Sequence, residues 1–390
     1  SLGAGAAHRL RAEAVPAPKT IEVIAEQPSS VKRERTFSFP TNITVNLPAA
    51  LNFANATASQ YPAGGWGAQP GQLTFQQWYN SHGTGRGIWK WSNAVDAYQR
   101  HFFPYANQAV TLAEVGVQSG GSMLMWAAVM GAYSHIYGLD INPKTQAFAD
   151  AQHTIVIGDQ ADPTMWANFF NNVVAQRGQL NMLVDDGGHE PHQMRITLVE
   201  VFNRIAPGGI VAIEDIHGLH YIDSFFVPAA MYLGHMASVG QLDSVHVYPF
   251  LLIAQKTGAL PSGVQSKLQY GGSSAIVDSF QALWQAIPYH PGGHVILQNP
   301  GWGNFLTTAG ITNFFKVFGA LHASTWHDIP AGCEHTSQSV CTVLVTNEPM
   351  QSMIIGIHIY PTQLIVEVAG APVTIQAVRH GTEWIEYAGE

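Results

Sequence analysis

The chain has 390 residues, of which 46% are hydrophobic and only 11% are charged, and its formal net charge is -9. This apolar fraction is enough for one large domain or two smaller ones, whereas the negative charge argues against a nucleic-acid partner. No apolar run reaches the roughly 20 residues that a membrane-spanning helix needs, so no membrane span is expected.

Residues 1–74 are interpreted as an extended N-terminal arm, because most of this segment shows little hydrophobic periodicity and is rich in Ala, Pro, Ser and Thr. Two Asn-x-Thr sequons begin at Asn42 and Asn55. They favour a glycoprotein of the secretory pathway, in the Golgi lumen or outside the cell, over a cytoplasmic protein. In the first case Cys333 and Cys341 form a local disulfide, and in the second they are free thiols.

From residue 109 onward, predicted strands alternate with predicted helices, a pattern typical of a doubly wound α/β sheet. Each strand is a short apolar run bounded by turn residues, as expected for buried parallel strands. The predicted strands cover residues 111–115, 135–139, 154–157, 182–184 and 210–213, and the helices between them cover residues 123–130, 163–176 and 190–205. Residues 244–255 then predict an antiparallel pair at the end of the sheet, which makes the sheet mixed.

Paired acids follow the fourth and fifth predicted strands. Asp185 and Asp186 end the fourth strand with His189 three residues further on, and Glu214 and Asp215 end the fifth. Ligands of open α/β sheets bind at the carboxyl ends of the strands, so we expect Asp186, Glu214 and Asp215 to converge. Three hard oxygen donors suit Mg²⁺, Mn²⁺ or Ca²⁺ better than Zn²⁺.

A glycine-rich turn, residues 116–121, lies between the first predicted strand and its helix. Such a turn lets the backbone approach a ligand at a helix N-terminus. A Gly-x-Gly-x-x-Gly phosphate fingerprint is absent; instead Glu114 precedes the turn, and Asp140 ends the next strand, where an acid takes ribose hydroxyls. S-adenosylmethionine fits this combination, because it contains a nucleoside and an ammonium group but no pyrophosphate. The alternatives are that Glu114 is a satisfied core acid and that Asp140 caps a helix.

A second glycine-punctuated segment, residues 82–91, carries Arg86 and two indoles ahead of an amphipathic helix predicted for residues 93–103. We interpret this segment as a lid that contacts a ligand. The alternative is an ordinary glycine-rich connection.

Together these motifs resemble the class I S-adenosylmethionine-dependent methyltransferases. The most similar group is that of the metal-dependent sugar O-methyltransferases related to mycinamicin and macrocin O-methyltransferase, some of whose relatives carry the label cephalosporin hydroxylase. The resemblance covers about residues 75–256. It rests on the motifs His82-Gly-Thr84, Glu114-Val-Gly116, Tyr137-Gly-Leu-Asp140, Gly158-Asp159-Gln160, Asp185-Asp186-Gly-Gly-His189 and Pro207-Gly-Gly209 followed by Glu214-Asp215.

The resemblance implies a Rossmann-like doubly wound mixed sheet over residues 75–260 that binds S-adenosylmethionine and a divalent metal, first of all Mg²⁺. It implies that Asp186, Glu214 and Asp215 hold the metal, and that His189 is the catalytic base beside Asp186. The residues assigned to the methyl-donor site are Glu114, Gly116, Gly120, Ser122, Asp140, Asp159, Gln160 and Arg86.

The residues themselves suit the transfer of a methyl group to a hydroxyl of a sugar or glycan. An aliphatic hydroxyl is a poor nucleophile until a metal lowers its pKa and a base removes its proton. A histidine such as His189 can take that proton, because imidazole titrates close to neutral pH. The alternative for His189 is a structural role, as a histidine at a helix N-terminus bonded to Asp185, and Asp185 itself is interpreted as an orienting partner.

Residues 261–390 have no counterpart in the resembled family and predict a β-rich C-terminal extension. Within it, residues 291–293 repeat the Pro-Gly-Gly of residues 207–209, and residues 356–361 are similar to residues 244–249. A degenerate partial repeat of the sheet and chance similarity both explain these matches. The predicted strands of the extension cover residues 340–346, 353–359, 364–368 and 373–378.

Two other functions are weighed against methyl transfer. A secreted binding or structural protein could keep the fold without turnover, since fold does not by itself imply function. A non-haem iron hydroxylase would need two histidines and one carboxylate around the metal, and here the acids outnumber the well-placed histidines. Members of the resembled group commonly assemble, so a homo-oligomer is a further expectation.

Overall fold

A computed structural model describes residues 72–218, 220–258, 274–298, 304–307, 310–311, 340–344, 354–371 and 373–385. The predicted arm up to residue 71, both sequons and Cys333 lie outside these residues. The arm, the disulfide and the secretory location therefore stay predictions.

The described residues form strands and α-helices whose bounds follow in chain order. The strands are β1 (Ile88–Trp91), β2 (Thr111–Val115), β3 (His135–Asp140), β4 (His153–Ile157), β5 (Met182–Asp185), β6 (Ile210–Ile216), β7 (Leu242–Tyr248), β8 (Phe250–Lys256), β9 (Ser274–Val277), β10 (His294–Leu297), β11 (Val340–Leu344), β12 (Ile354–Ile359), β13 (Leu364–Val368) and β14 (Thr374–His380). The helices are α1 (Phe75–Ser81), α2 (Ser92–His101), α3 (Gly121–Met130), α4 (Pro163–Asn168), α5 (Pro191–Arg204), α6 (Val227–Ser238) and α7 (Phe280–Ala286).

The larger sheet has 11 strands in the order β4-β3-β2-β5-β6-β8-β7-β12-β13-β10-β9. Strands β2 to β6 are parallel and largely buried, as their continuous apolar sequences predict. Strands β8 and β7 then pair antiparallel, β8 with β6 and β7 with β8. The predicted Rossmann-like doubly wound mixed sheet is therefore confirmed, and so are the C-terminal strands.

Strand β6 runs to Ile216 instead of ending at Ile213 as predicted. Its pairing with β8 shifts register between these two residues, so that Glu214 and Asp215 together oppose one residue of β8. This is a β-bulge, a feature that redirects side chains at the point where it occurs. Asp215 has a φ of 55°, a conformation uncommon for residues other than glycine.

The helices that follow β2 and β5 begin at the edge of the sheet where these strands end. Helix α3 begins after Gly120, whose φ of 77° is left-handed. Helix α5 begins with Pro191 and has a capping box between Glu190 and Gln193. The segment 163–176 is helical throughout, as predicted, but changes after α4 to π and then 3₁₀ hydrogen bonding.

The β7–β12 pair divides the larger sheet into two sides, and the same sequence of antiparallel and parallel pairings runs outward on both sides. Strand β12 pairs antiparallel with β7, β13 with β12 and β10 with β13, and β9 pairs parallel with β10. The same succession runs outward from β7 through β8 and β6 to β5. At the centre, His246 of β7 lies opposite His358 of β12, and the neighbouring residues pair reciprocally.

The similar sequence segments occupy mirrored places in this sheet. Residues 207–209 precede β6 and residues 291–293 precede β10, and the central glycines Gly208 and Gly292 have φ angles of 76° and 72°. This correspondence supports the hypothesis that residues 261–390 contain a degenerate partial repeat.

A smaller sheet has the strand order β1-β14-β11 and brings the C-terminal strand next to the glycine-punctuated segment. The hydroxyl of Tyr79 lies 2.8 Å from the carbonyl oxygens of Lys90 in β1 and Val378 in β14. The N–H of Gly87 donates to the carbonyl oxygen of Glu383 at 2.7 Å. The C-terminal strand therefore fixes the position of β1.

Among the described residues, no helix is long and apolar enough to cross a membrane. The longest of these α-helices, α5, has 14 residues and buries one face against the sheet.

Candidate active site

A cavity of about 320 Å³ opens at the carboxyl ends of the parallel strands. This edge is where open α/β sheets bind ligands. Its wall is formed by β1, by the turns after β2 to β5, and by the bulge of β6. The lining residues include Gly87, Trp89, Lys90, Gly116, Gln118, Ser122, Asp140, Asp159, Gln160, Asp186, His189 and Asp215.

Two turns meet closely on the cavity wall. A Cβ atom at Gly116 would overlap the carbonyl oxygen of Asp186, and Gly116 also has a φ of 86°. Only glycine satisfies both conditions without strain, so it brings the end of β2 against the end of β5.

Asp140 presents its carboxylate at the end of β3. It accepts hydrogen bonds from the backbone N–H groups of Gln118 at 2.9 Å and Asn142 at 2.7 Å. The helical segment that follows is capped by Asn142, which accepts from Lys144 N, so Asp140 is not the cap. Its orientation toward the cavity suits the predicted contact with ribose hydroxyls.

Three residues assigned to the donor site lie elsewhere. Glu114 is completely buried behind Ser122, whose hydroxyl donates to its Oε2 at 2.6 Å. It is therefore a core acid, but not a fully satisfied one, because its Oε1 has no hydrogen bond among the described residues. Arg86 stacks on the ring of Phe148, with its guanidinium carbon 4.4 Å from the ring centre. Gly120 forms the turn before α3 and also lies outside the cavity lining.

The turn after β5 is fixed by Gln160 and Asp185. The side-chain N–H₂ of Gln160 donates to both carboxylate oxygens of Asp185 at 3.0 Å, and its carbonyl oxygen accepts from Gly188 N at 2.7 Å. Gly187 N also donates to Asp185 at 3.2 Å. Burial raises the pKa of Asp185, and the hydrogen bonds from Thr197 and Gln160 oppose that increase. Asp185 therefore orients the turn, as predicted.

Asp186, His189 and Asp215 each offer one ligand atom, and these atoms all lie within 4.8 Å of one another. Nε2 of His189 lies 3.6 Å from Oδ2 of Asp215. Trp91 donates its indole N–H to the other oxygen, Oδ1 of Asp215, at 2.8 Å. Two carboxylate oxygens and one imidazole fit a hard divalent cation, but they do not supply the two histidines of an iron oxygenase site.

Lys90 lies at the centre of the acids, and it is a residue that the sequence analysis did not single out. Its buried ammonium group donates to Oδ2 of Asp186 at 2.5 Å and to Oε1 of Glu214 at 2.8 Å. It also lies 3.0 Å from Oε1 of Glu114, without hydrogen-bond geometry. Burial lowers the pKa of Lys90, but these acids outweigh that effect and hold its pKa well above the ordinary value.

The structure places Glu214 differently from the prediction that it holds the metal. Its Oε1 accepts from Lys90 and contacts the hydroxyl of Tyr98, so it lies outside the group of three possible ligands. The adjacent Asp215 has different partners, because it accepts from the indole N–H of Trp91 and lines the cavity. Burial raises the pKa of Asp186 well above its ordinary value, and the nearby Glu214 raises it further. This excess of buried negative charge favours a second cation beside Lys90.

Comparison with known proteins identifies the central part of the chain. Residues 113–216 match a family model described as a methyltransferase domain. The chain is 34% identical over 126 residues to demethylmacrocin O-methyltransferase of Streptomyces fradiae, and 35% identical over 125 residues to mycinamicin VI 2''-O-methyltransferase of Micromonospora griseorubida. Each alignment covers 30% of this chain and 30% of the relative, so most of each relative's length is not matched.

A solved structure of the MycE methyltransferase from the mycinamycin biosynthetic pathway, in complex with Mg, SAH and mycinamycin VI, is 25% identical. The similarity covers 43% of this chain and 51% of that one, with a TM-score of 0.36. Residues 113–216 of this chain are a methyltransferase domain of the class I, S-adenosylmethionine-dependent type, related to sugar O-methyltransferases.

Proposed function

We propose that this chain transfers a methyl group from S-adenosylmethionine to a hydroxyl of a sugar or glycan, with a divalent metal, first of all Mg²⁺, as cofactor. The observation that carries the proposal is the group Asp186, His189 and Asp215, which lines the same cavity as Asp140 and Gly116. A methyl donor held at the ends of β2 and β3 would lie next to an acceptor held at the ends of β5 and β6.

The position of each residue in the cavity indicates its role in the proposed reaction. Asp186 and Asp215 would hold the metal, which when bound would lower the pKa of an acceptor hydroxyl. Asp140 and the backbone of the 116–121 turn would orient the donor. Nδ1 of His189 is buried and has no hydrogen-bond partner among the described residues, whereas Nε2 lies 3.6 Å from Oδ2 of Asp215, so no described hydrogen bond commits the imidazole to a structural role.

Methyl transfer then needs one bond to form and one to break. The acceptor oxygen attacks the methyl carbon, the bond between carbon and the sulfonium sulfur breaks, and the hydroxyl proton goes to His189. Holding the reacting atoms in line is the largest contribution that a protein can make to such a reaction.

The relatives and one residue of the cavity wall support a sugar as the acceptor. Three relatives are named demethylmacrocin O-methyltransferase, mycinamicin VI 2''-O-methyltransferase and 8-demethyl-8-alpha-L-rhamnosyl tetracenomycin-C 2'-O-methyltransferase. In this chain, Trp89 offers a half-buried indole on the cavity wall, an apolar surface suited to the C–H face of a sugar ring.

The test incubates the chain with methyl-labelled S-adenosylmethionine, Mg²⁺ and a panel of glycans and glycosylated small molecules. We expect label on a sugar hydroxyl of at least one acceptor, and none when a chelator is in excess. Absence of S-adenosylmethionine binding by calorimetry, with Mg²⁺ present, would contradict the proposal and favour a binding or structural protein.

A further inference from the structure

A short segment, residues 381–385, follows β14 and reaches the glycine-rich turn of the donor site. The backbone N–H of Ile385 donates to the hydroxyl oxygen of Ser119 at 2.8 Å, across 266 residues of sequence. Ser119 is 1% exposed and belongs to the 116–121 turn, which orients the donor in the proposed function. The 381–385 segment lies outside residues 113–216, which match the methyltransferase family, so that match assigns it no role.

The same segment also holds residues 82–91, which end in β1. The backbone N–H groups of Thr382 and Glu383 both donate to the carbonyl oxygen of Gly85 at 2.8 Å. The N–H of Gly87 donates in return to the carbonyl oxygen of Glu383 at 2.7 Å. Because Gly87 lines the cavity, these hydrogen bonds fix part of the cavity wall.

Trp384 packs its indole against the backbone of Gly87. A Cβ atom at Gly87 would overlap this indole, and the three nearest atoms that it would meet all belong to the indole ring. The indole is also held by its own part of the chain. The guanidinium carbon of Arg379 lies 3.8 Å from the ring centre, and the indole N–H donates to the carbonyl oxygen of Gly381 at 3.3 Å. The absence of a side chain at position 87 therefore lets the two segments approach closely.

The 116–121 turn and residues 82–91 also contact each other, so the three segments form a closed set of contacts. The N–H of Gly121, the first residue of α3, donates to the carbonyl oxygen of Gly87 at 3.0 Å. Each segment is thus hydrogen-bonded to both of the others. Because Gly87 and Gln118 line the cavity from the first two segments, a shift of the third segment would change the separation of two cavity walls.

We infer that the 381–385 segment positions the donor site: it holds the 116–121 turn and residues 82–91 at the separation that S-adenosylmethionine requires. Trp384 and Ile385 are positioning residues, since neither belongs to the lining of the cavity. This inference rests on the proposed function in that the donor binds beside the 116–121 turn. We therefore expect changes in the 381–385 segment to weaken donor binding even where the fold is retained.

The test is a double-mutant cycle of Gly87→Ala and Trp384→Ala, with the affinity for S-adenosylmethionine measured by calorimetry. We expect each single variant to weaken donor binding by about tenfold, because each disturbs the contact between the two segments. The indole is gone in the Trp384→Ala background, so adding Gly87→Ala there should change the affinity by less than about twofold. If Gly87→Ala weakens binding equally in both backgrounds, position 87 acts on the donor directly and the inference is overturned.

Trp284→Ala is the matched control, since Trp284 is also a half-buried tryptophan but lies on α7. The free energy of unfolding in urea is measured for both tryptophan variants. A purely structural role for Trp384 would lower stability and leave donor affinity unchanged, whereas a positioning role lowers donor affinity in Trp384→Ala alone. Equal donor affinities in the two variants would overturn the inference.

A second pair of variants tests the contact with the turn. Ser119→Ala removes the acceptor of the Ile385 N–H, so we expect donor binding to weaken by about fivefold or more. Ser134→Ala is the control, because Ser134 is also buried but directly precedes β3, at the opposite edge of the sheet. Equal donor affinities in these two variants would contradict the role of Ile385. If Trp384→Ala does not fold, this comparison decides alone.

The proposed function and this inference fail in different ways. Methyl transfer to a sugar, combined with equal donor affinities in Trp384→Ala and Trp284→Ala, would leave the function standing and overturn the positioning role. The predicted loss of donor affinity without methyl transfer to any acceptor would leave the positioning role standing and overturn the function. An unmodified chain that binds no S-adenosylmethionine would overturn both.

Discussion

Nε2 of His189 lies 3.6 Å from Oδ2 of Asp215, and both residues have left-handed backbone conformations, with φ angles of 58° and 55°. Such conformations cost energy in residues other than glycine, and they persist where the surrounding structure holds them. Here two such residues, from the turn after β5 and the bulge of β6, face each other across the cavity. This placement favours a functional reason for the strain.

We expect His189→Asn to lower kcat by about 100-fold to 10,000-fold, the usual contribution of a general base. Asparagine tolerates the left-handed conformation but cannot take up a proton as imidazole does, so the change isolates the chemistry from the backbone. His192→Asn, at an exposed position in the first turn of α5, serves as the matched control. Steady-state kinetics with the labelled donor give the comparison, and an unchanged kcat in His189→Asn would exclude the role of base.

Gly116→Ala should destabilise the fold and weaken the metal site, because the new Cβ would overlap the carbonyl oxygen of Asp186. Gly85→Ala is the matched control, since Gly85 also has a positive φ, 83°, but has no atom within 4 Å of such a Cβ. Both variants carry the backbone cost of roughly 1–2 kcal/mol, and only Gly116→Ala adds the overlap. Equal losses of free energy of unfolding, measured in urea, would argue against the close approach of β2 and β5.

Asp140→Asn should weaken binding of S-adenosylmethionine by about tenfold or more, because an amide cannot accept from two backbone N–H groups and the ribose equally well. Calorimetry with and without Mg²⁺ measures the effect. Asp162→Asn, at an exposed helix cap where asparagine also caps well, is the control. An affinity for donor that does not change in Asp140→Asn would remove Asp140 from the donor site.

Three buried histidines where β7 pairs with β12 and packs against α2 predict that the stability of the fold depends on pH. Burial lowers the pKa values of His101, His246 and His358. Below the ordinary histidine pKa, near 6.5, the unfolded chain then binds more protons than the folded chain, so the free energy of unfolding falls as pH falls. Each histidine contributes up to about 1.4 kcal/mol per pH unit in this range.

Glu367, which lies beside these histidines, affects stability in a lower pH range than they do. Hydrogen bonds from His294 and His358 hold the pKa of Glu367 well below its ordinary value, although burial alone would raise it. Its contribution is therefore present above about pH 4.5 and is lost only below it. Among the described residues, the groups that face His246 include Ser244 on its own strand, Arg100 and His101 of α2, His358 of β12, Tyr360 just after β12 and Glu367 of β13.

Urea unfolding of His246→Gln between pH 7.5 and 5 tests whether the buried histidines cause the pH dependence of stability. Glutamine keeps hydrogen-bonding groups but does not titrate, so the slope of stability against pH should decrease by the share of one histidine. His192→Gln, at an exposed position, should leave the slope unchanged. A slope in His246→Gln that equals that of the unmodified chain would assign the pH dependence to other groups.

The parallel strands were predictable because each of them follows from a local pattern. The runs 111–115 and 182–184 are apolar and end in turns, so buried parallel strands were the simplest interpretation, and both strands are present. The similarity of residues 356–361 to residues 244–249 also had a structural counterpart, because β7 and β12 pair at these segments.

The details of the metal site depend on contacts between distant parts of the chain. Lys90 meets Asp186 and Glu214 across sequence separations of 96 and 124 residues, and no local pattern specifies such contacts. The bulge at Glu214 and Asp215 depends on the register between β6 and β8. The sequence therefore identified the acids that gather at this edge, but not which of them face the cavity.

The most direct test of the central claim is methyl transfer measured in parallel for the unmodified chain, for Asp215→Asn and for the unmodified chain with excess chelator. The account predicts transfer to a sugar hydroxyl by the unmodified chain with Mg²⁺, and a loss of about 100-fold or more in the other two cases. S-adenosylmethionine binding should persist in Asp215→Asn. Full activity in that variant, or with the chelator present, would contradict the account.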